Sequence, residues 1–332
     1  MKSKLTKWLN HFWYNIQYVP FVLKPFSWIY WAAQRLDQLC QSQQHSCIKT
    51  PPVIVVGNLT VGGTGKTPFL IALALQMQKA GYHIGIVTRG YGNQLQKYPY
   101  LVQPHDEPIQ IGDEAALISQ KVNAPLVISP NRQKAVEYIA THFCCDFILS
   151  DDGLQHYGMP RAMEIVMIDG QRGFGNQQLL PIGPLRQSLS RLKNVDFIII
   201  NGEASPPTQK LLESMQLTAS TMRLVPQPIS PPLTQISEKI AAFAGIGNPQ
   251  RFFQTLNELG IVHTPYPFAD HHPFTQKDFE IPETCIIMTE KDATKYKPCS
   301  TKSIHVLPVE ACMQDFFWAD FFSHPLFHSA RR

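Results

Sequence analysis

The chain predicts an α/β fold, a doubly wound and mostly parallel sheet with a smaller α/β unit at the carboxyl end and an amphipathic helix at the amino end. Three observations carry this reading. Short apolar runs rich in Val and Ile alternate with stretches of helix formers. Glycine-rich segments follow directly on several of those runs. Prolines crowd between Ser205 and Gln235, after which the alternation resumes.

Taken in order, Leu5, Trp8, Leu9, Phe12, Trp13 and Ile16 recur at helical spacing, with Lys2, Lys4 and Lys7 nearby. This is the pattern of a helix lying at a membrane interface, the alternative being one packed on a core. Trp8, Trp13, Trp28 and Trp31 are four of the five tryptophans, as an interfacial aromatic belt requires. His11, Asn15, Gln17 and Pro20 interrupt the stretch between Lys7 and Lys24, so it fits neither a spanning helix nor a cleaved signal peptide. Residues 1–35 are expected to form this interfacial segment. The next unit, 36–225, has strands at Val53–Val56, Ile84–Thr88, Leu126–Ser129, Phe147–Ser150, Ile165–Ile168 and Phe197–Ile200, with a helix beginning at Thr67 and stopping at Gly81. The proline cluster reads as a linker. The second α/β unit, 226–332, has strands at Ile240–Ala244 and Thr284–Met288 and a helix over Pro249–Leu259.

Composition narrows the function. Hydrophobic residues make up 44% and charged residues 16%, which describes a folded, rather apolar protein. A net charge of +4 without blocks of like charge points to no nucleic-acid partner, and no protein partner is evident. The seven cysteines contain no C-x-x-C pair, so they read as reduced thiols rather than a zinc or dithiol site.

The strongest motif is Thr60-Val61-Gly62-Gly63-Thr64-Gly65-Lys66-Thr67, between a predicted strand and a predicted helix. This is a P-loop except that Thr60 stands where the strict pattern has glycine. Its glycines let backbone N–H groups face phosphates, Lys66 reaches the β and γ oxygens, and Thr67 offers a hydroxyl to Mg²⁺, so ATP and Mg²⁺ are the expected cofactors. Asp151 and Asp152 follow the run Phe147-Ile148-Leu149, where a metal-assisting acid belongs in P-loop proteins, although turn or cap residues read the same way. Asp113 and Glu114 suit the amino end of a helix, and Asp113 also suits a base that accepts a proton from an acceptor hydroxyl. Asp270-His271-His272 matches no standard zinc spacing. Arg89, within Arg89-Gly90-Tyr91-Gly92, could bring a guanidinium to phosphate or simply enter a turn.

Together, Gly57 to Pro68, Arg89-Gly90-Tyr91-Gly92, Gly112-Asp113-Glu114, Asp151-Asp152-Gly153-Leu154-Gln155-His156, Gly183-Pro184-Leu185-Arg186, Asp270-His271-His272 and Thr289-Glu290-Lys291-Asp292 resemble the tetraacyldisaccharide 4'-kinase (lipid A 4'-kinase) family over nearly the whole chain. The resemblance implies a P-loop kinase fold. It also implies transfer of the ATP γ-phosphate to the 4'-hydroxyl of an acylated glucosamine disaccharide 1-phosphate, giving lipid IVA. It places the protein at the inner-membrane lipid surface, on the cytoplasmic face, as a peripheral or monotopic protein. By the family pattern Asp113 is the catalytic base assisted by His271, Lys66 steadies the phosphates, and Thr67, Asp152 and Gln155 serve the metal. Arg89, Glu114, Asp151, His156 and Arg186 are then expected as substrate or phosphate contacts. Two departures stand out: Gln187 replaces the usual Glu after Leu185-Arg186, and Asn176 is followed by Gln177 rather than glycine. The alternative reading is a membrane-recruited P-loop ATPase of the partitioning or chaperone type, which would commonly carry lysine where Val61 stands.

Overall fold

A computed structural model describes residues 9, 11–15, 20–42, 48–233, 239–296 and 302–329. Two sheets organise them. The larger contains β1 (Val53–Gly57), β2 (Ile84–Thr88), β3 (Tyr100–Leu101), β4 (Leu126–Ile128), β5 (Phe147–Asp151), β6 (Met163–Asp169), β7 (Phe197–Asn201), β8 (Ser220–Pro226) and β13 (Val309–Met313). Its order is β13-β8-β7-β6-β1-β5-β2-β4-β3. All pairings from β8 through β4 are parallel, and β3 and β13 close the edges antiparallel. The smaller sheet is all parallel, in the order β10 (Thr264–Pro267), β9 (Ile240–Ala244), β11 (Cys285–Thr289), β12 (Ser303–Leu307).

The central strands are buried along their whole length, as unbroken apolar runs require when helices cover both faces of a parallel sheet. One face packs on α2 (Lys66–Lys79), whose Phe69, Leu70, Leu73 and Met77 form its inward stripe. It also packs on α8 (Asp315–Ser323), which contributes Phe317 and Phe321. The other face packs on α4 (Arg132–His142) through Ala135, Val136 and Ile139. Each of the larger side chains among these contributes about 1.5–3 kcal/mol on burial.

The structure changes three expectations. The helix α1 (Lys24–Ser42) runs past the expected boundary at 35. The proline-rich stretch is not only a linker: it holds α5 (Pro206–Ser214) and β8. Pro206 and Pro207 open that helix, where a missing N–H costs nothing. The carboxyl end does not stay with the second unit, because β13 pairs antiparallel with β8 and the following helix joins the first core. A strand's apolar pattern marks it as buried without saying which sheet it joins.

Candidate active site

Buried polar residues stand at or just beyond the carboxyl ends of the parallel strands: Asn58 after β1, Thr88 on β2, Ser129 after β4, Asp151 on β5, Asp169 on β6 and Asn201 on β7. Such groups in a core need partners or a ligand, and the end where they gather is where α/β sheets bind ligands. The loop Thr60–Gly65 curls over this edge into α2. Gly65 takes φ +86° as it opens the helix, and a side chain there would strike the Asn201 amide, which itself donates to the Thr64 carbonyl at 3.2 Å. Lys66 is held by two side chains: its Nζ lies 3.1 Å from Asn58 Oδ1 and 3.4 Å from Asp152 Oδ1.

Asp151 and Asp152 have different environments. Asp152 sits at φ +49° and takes the Arg186 guanidinium at 2.9 and 3.1 Å. Burial would raise its pKa, but Lys66 and Arg186 outweigh that and hold the carboxyl well below the usual range. The Asp151 carboxylate accepts a 3.3 Å bond from Thr88 Oγ1 through Oδ2, and its Oδ1 is buried with no hydrogen-bond partner among the described residues. Burial, then repulsion from Glu114, pushes its carboxyl up to about 7. Beneath the pair lies Arg132, 2% exposed, which donates to the carbonyls of Ser129 at 2.7 Å and Asp151 at 3.1 Å. A cavity of about 170 Å³ is lined by Thr88, Arg89, Tyr91, Glu114, Arg132, Asp151, Asp152 and Arg186.

Gln155 borders this site, with its amide donating to the Asn58 carbonyl at 3.2 Å and its carbonyl accepting from Arg186 at 3.4 Å. Gln187 is buried and bonded to both Gln155 and the Tyr157 hydroxyl, a neutral network into which an amide fits. Burial and the charges of Arg132 and Arg89 push the His156 imidazole down to about 4, so near neutral pH it is a hydrogen-bonding group and not a cation.

Across the cavity the two sheets meet. Asp113 is the first residue of α3 (Asp113–Lys121), and burial would raise its pKa. The hydrogen bond from His271 and the charges of Lys291 and Lys295 outweigh that and leave it lowered. His271 Nδ1 lies 2.9 and 3.0 Å from the two Asp113 oxygens, and its ring packs 4.6 Å from Tyr91. Lys291, on α7 (Glu290–Thr294), donates to Glu114 at 2.9 Å and lies 3.6 Å from Asp270. Burial disfavours its charge, but Glu114, Asp270 and Asp113 raise its pKa regardless. The loop Gly245–Gly247 connects this group to the phosphate loop. The His271 amide donates to the Gly245 carbonyl at 3.2 Å, and a Cβ on Gly247 would come 2.4 Å from the Gly63 nitrogen.

A family profile described as Tetraacyldisaccharide-1-P 4'-kinase matches residues 19–324. The chain belongs to this family. Tetraacyldisaccharide 4'-kinase of Legionella pneumophila strain Corby is 43% identical over 328 residues, covering 95% of this chain and 97% of that protein. Its counterpart in Methylobacillus flagellatus is 41% identical over 317 residues, covering 94% of this chain and 93% of its own. A crystal structure of LpxK from Aquifex aeolicus in complex with ATP superposes with a TM-score of 0.70 at 23% identity, over 92% of this chain and 98% of that one, and so shares the fold. Membership of the 4'-kinase family does not support the alternative of a partitioning or chaperone ATPase.

In this 4'-kinase family member the residues singled out by sequence converge on the junction between the two sheets. Lys66, Asp152, Gln155 and Arg186 form one hydrogen-bonded cluster, and Asp113, Glu114 and His271 form another. His272 stands apart, stacked on Phe268 and 3.2 Å from Asp278. Sequence reasoning missed Asn58, Arg132, Asn201 and a site role for Lys291. For Asn58 and Asn201 the signal is burial of a polar group at a strand end, and for Arg132 and Lys291 it is the carbonyls and carboxylates they meet from distant parts of the chain, which only the folded chain reveals.

Proposed function

We propose that this chain transfers the γ-phosphate of ATP to the 4'-hydroxyl of an acylated glucosamine disaccharide 1-phosphate, giving lipid IVA. The observation that carries this reading is the Asp113–His271 pair beside a cavity whose far wall holds Asp151, Asp152 and Arg186. An acceptor hydroxyl near Asp113 would face a phosphate held by the P-loop amides and Lys66. With its pKa lowered, Asp113 is ionised at neutral pH, ready to take the hydroxyl proton as the new P–O bond forms. His271 Nδ1 holds both carboxylate oxygens and so sets the direction in which Asp113 accepts. Lys66 and Arg186 supply fixed positive charge toward the transferring group.

The donor set suits Mg²⁺, since Asp151 presents a buried oxygen with no partner among the described residues and carboxylates are hard oxygen ligands. Thr67, Asp152 and Asp151 would hold the ion, and Gln155 borders the place. When bound, Mg²⁺ neutralises charge on the β and γ oxygens.

The reading includes attachment to the cytoplasmic face of the inner membrane. Ser27, Tyr30 and Gln34 turn the polar side of α1 toward the protein, bonding the carbonyls of Leu179 and Arg186. Its outward side is apolar, with Trp28 60%, Ile29 67% and Leu36 65% exposed. Arg35 lies over the Trp31 ring, as cations flanking an interfacial helix do. No described helix is long and apolar enough to cross a membrane. Trp13, expected in the lipid-facing set, instead bonds the Pro181 carbonyl through Nε1, while Leu5, Trp8 and Ile16 lie outside the described residues.

Labelled γ-phosphate supplied as Mg-ATP should appear in the acylated disaccharide, and Lys66→Ala and Asp113→Ala should nearly abolish this. Full activity in both variants contradicts the assignment. Trp28→Ser/Trp31→Ser should reduce co-sedimentation with anionic liposomes without loss of fold, and unchanged sedimentation contradicts the attachment.

A further inference from the structure

The first half of the phosphate loop is fixed from outside. Leu59 accepts from the Arg186 amide at 2.6 Å, and the Val61 amide donates to the Pro184 carbonyl at 2.9 Å. The Val61 carbonyl has a partner from a remote part of the chain: the Tyr14 hydroxyl donates to it at 3.3 Å. Tyr14 belongs to the helical turn at 11–15, which precedes the apolar helix α1. That turn is seated on the loop after β6, where the Asn176 amide donates to the Trp13 carbonyl at 2.8 Å. Arg172, from the same loop, lies 5.6 Å above the Tyr14 ring. Its Nη1 donates to the Gly247 carbonyl at 2.9 Å and lies 3.6 Å from where a Cβ on Gly62 would stand.

The peptide joining Val61 to Gly62 is trans and planar, so its carbonyl and the Gly62 N–H point in opposite directions. A hydroxyl that draws the Val61 oxygen outward therefore turns the Gly62 N–H toward the inside of the loop. Gly62, at φ +106°, has no side chain to resist a flip of that peptide, so the restraint must come from elsewhere. We propose that Tyr14 is a positioning residue for the nucleotide half of the site: its hydroxyl locks the Val61–Gly62 peptide so that the Gly62 N–H is presented to a nucleoside triphosphate. This ties the amino-terminal segment to the phosphate loop. Burial pushes the phenol up to about 12, so it remains a donor across the physiological range.

The inference rests on the nucleotide reading above, and two measurements on the full-length, detergent-solubilised protein separate them. The first is ATP affinity of wild type, Tyr14→Phe and Trp13→Phe, with acceptor KM measured alongside. The second is amide hydrogen exchange over residues 61–65 without nucleotide. Tyr14→Phe should weaken ATP binding about 3- to 10-fold, the worth of one neutral hydrogen bond. It should speed exchange in that loop and leave acceptor KM unchanged. Trp13→Phe removes a bond from the same segment to Pro181 and should do neither. Unaltered exchange and affinity in Tyr14→Phe, or equal effects of both variants, overturn the proposal. Absence of ATP binding by the wild type contradicts the nucleotide reading, and the exchange comparison still decides the role of Tyr14.

Discussion

His271 Nδ1 lies 2.9 Å and 3.0 Å from the two carboxylate oxygens of Asp113, although the residues are 158 positions apart, Asp113 opening α3 beside the larger sheet and His271 standing in the turn after β10 of the smaller one. The pair exists only when the two sheets are brought together, so base and phosphate site are assembled by one arrangement of the chain.

If the pair acts as a unit, Asp113→Asn should lower kcat by about 10²–10⁴-fold. His271→Gln should lower it less, and ATP KM should stay near wild type in both. The double variant should be no slower than Asp113→Asn alone, since groups that act together lose their effect once. Steady-state kinetics of the four proteins checks this, and losses that multiply would show two independent roles.

Asp151 predicts an unusual pH dependence of stability. Its folded pKa is raised to about 7 by burial, above an ordinary unfolded value of about 3.9. Between these values the native state binds more protons than the unfolded one, so the contribution falls as pH rises through that window and levels off above it. Asp151→Asn should therefore match wild type near pH 4 and melt higher at pH 8 in magnesium-free buffer. Parallel melting curves at every pH would rule this out.

Gln177 occupies φ +59° with its side chain exposed, at the position after Asn176 where the family pattern suggests glycine. A left-handed backbone costs a non-glycine residue roughly 1–2 kcal/mol, offset in part by the extra freedom of glycine in the unfolded chain. Gln177→Gly should therefore raise the urea midpoint slightly, by roughly 0.5–1 kcal/mol of stability. A lowered midpoint would mean that the Gln177 side chain makes a compensating interaction.

Much of the fold was legible because strands such as Ile84–Thr88 and Ile240–Ala244 are apolar runs bounded by turn residues, a pattern that burial in a parallel sheet imposes. The P-loop was legible because its glycines and Lys66 answer to a local geometry. The return of β13 to the first sheet was not, since register with β8 depends on partners far along the chain. Nor was the inward polar face of α1. Tyr30 and Gln34 look like solvent-side residues until the Arg186 carbonyl that receives them is in place. Arg132 reads as a surface residue of α4 by composition, yet it is sealed beneath Asp151.

The most direct test is where the phosphate goes. After a single turnover with Mg-ATP labelled in the γ position, phosphorus–proton correlation spectroscopy of the extracted disaccharide should place one new phosphate on the 4' carbon. Label recovered as inorganic phosphate, with the disaccharide unchanged, would contradict the account.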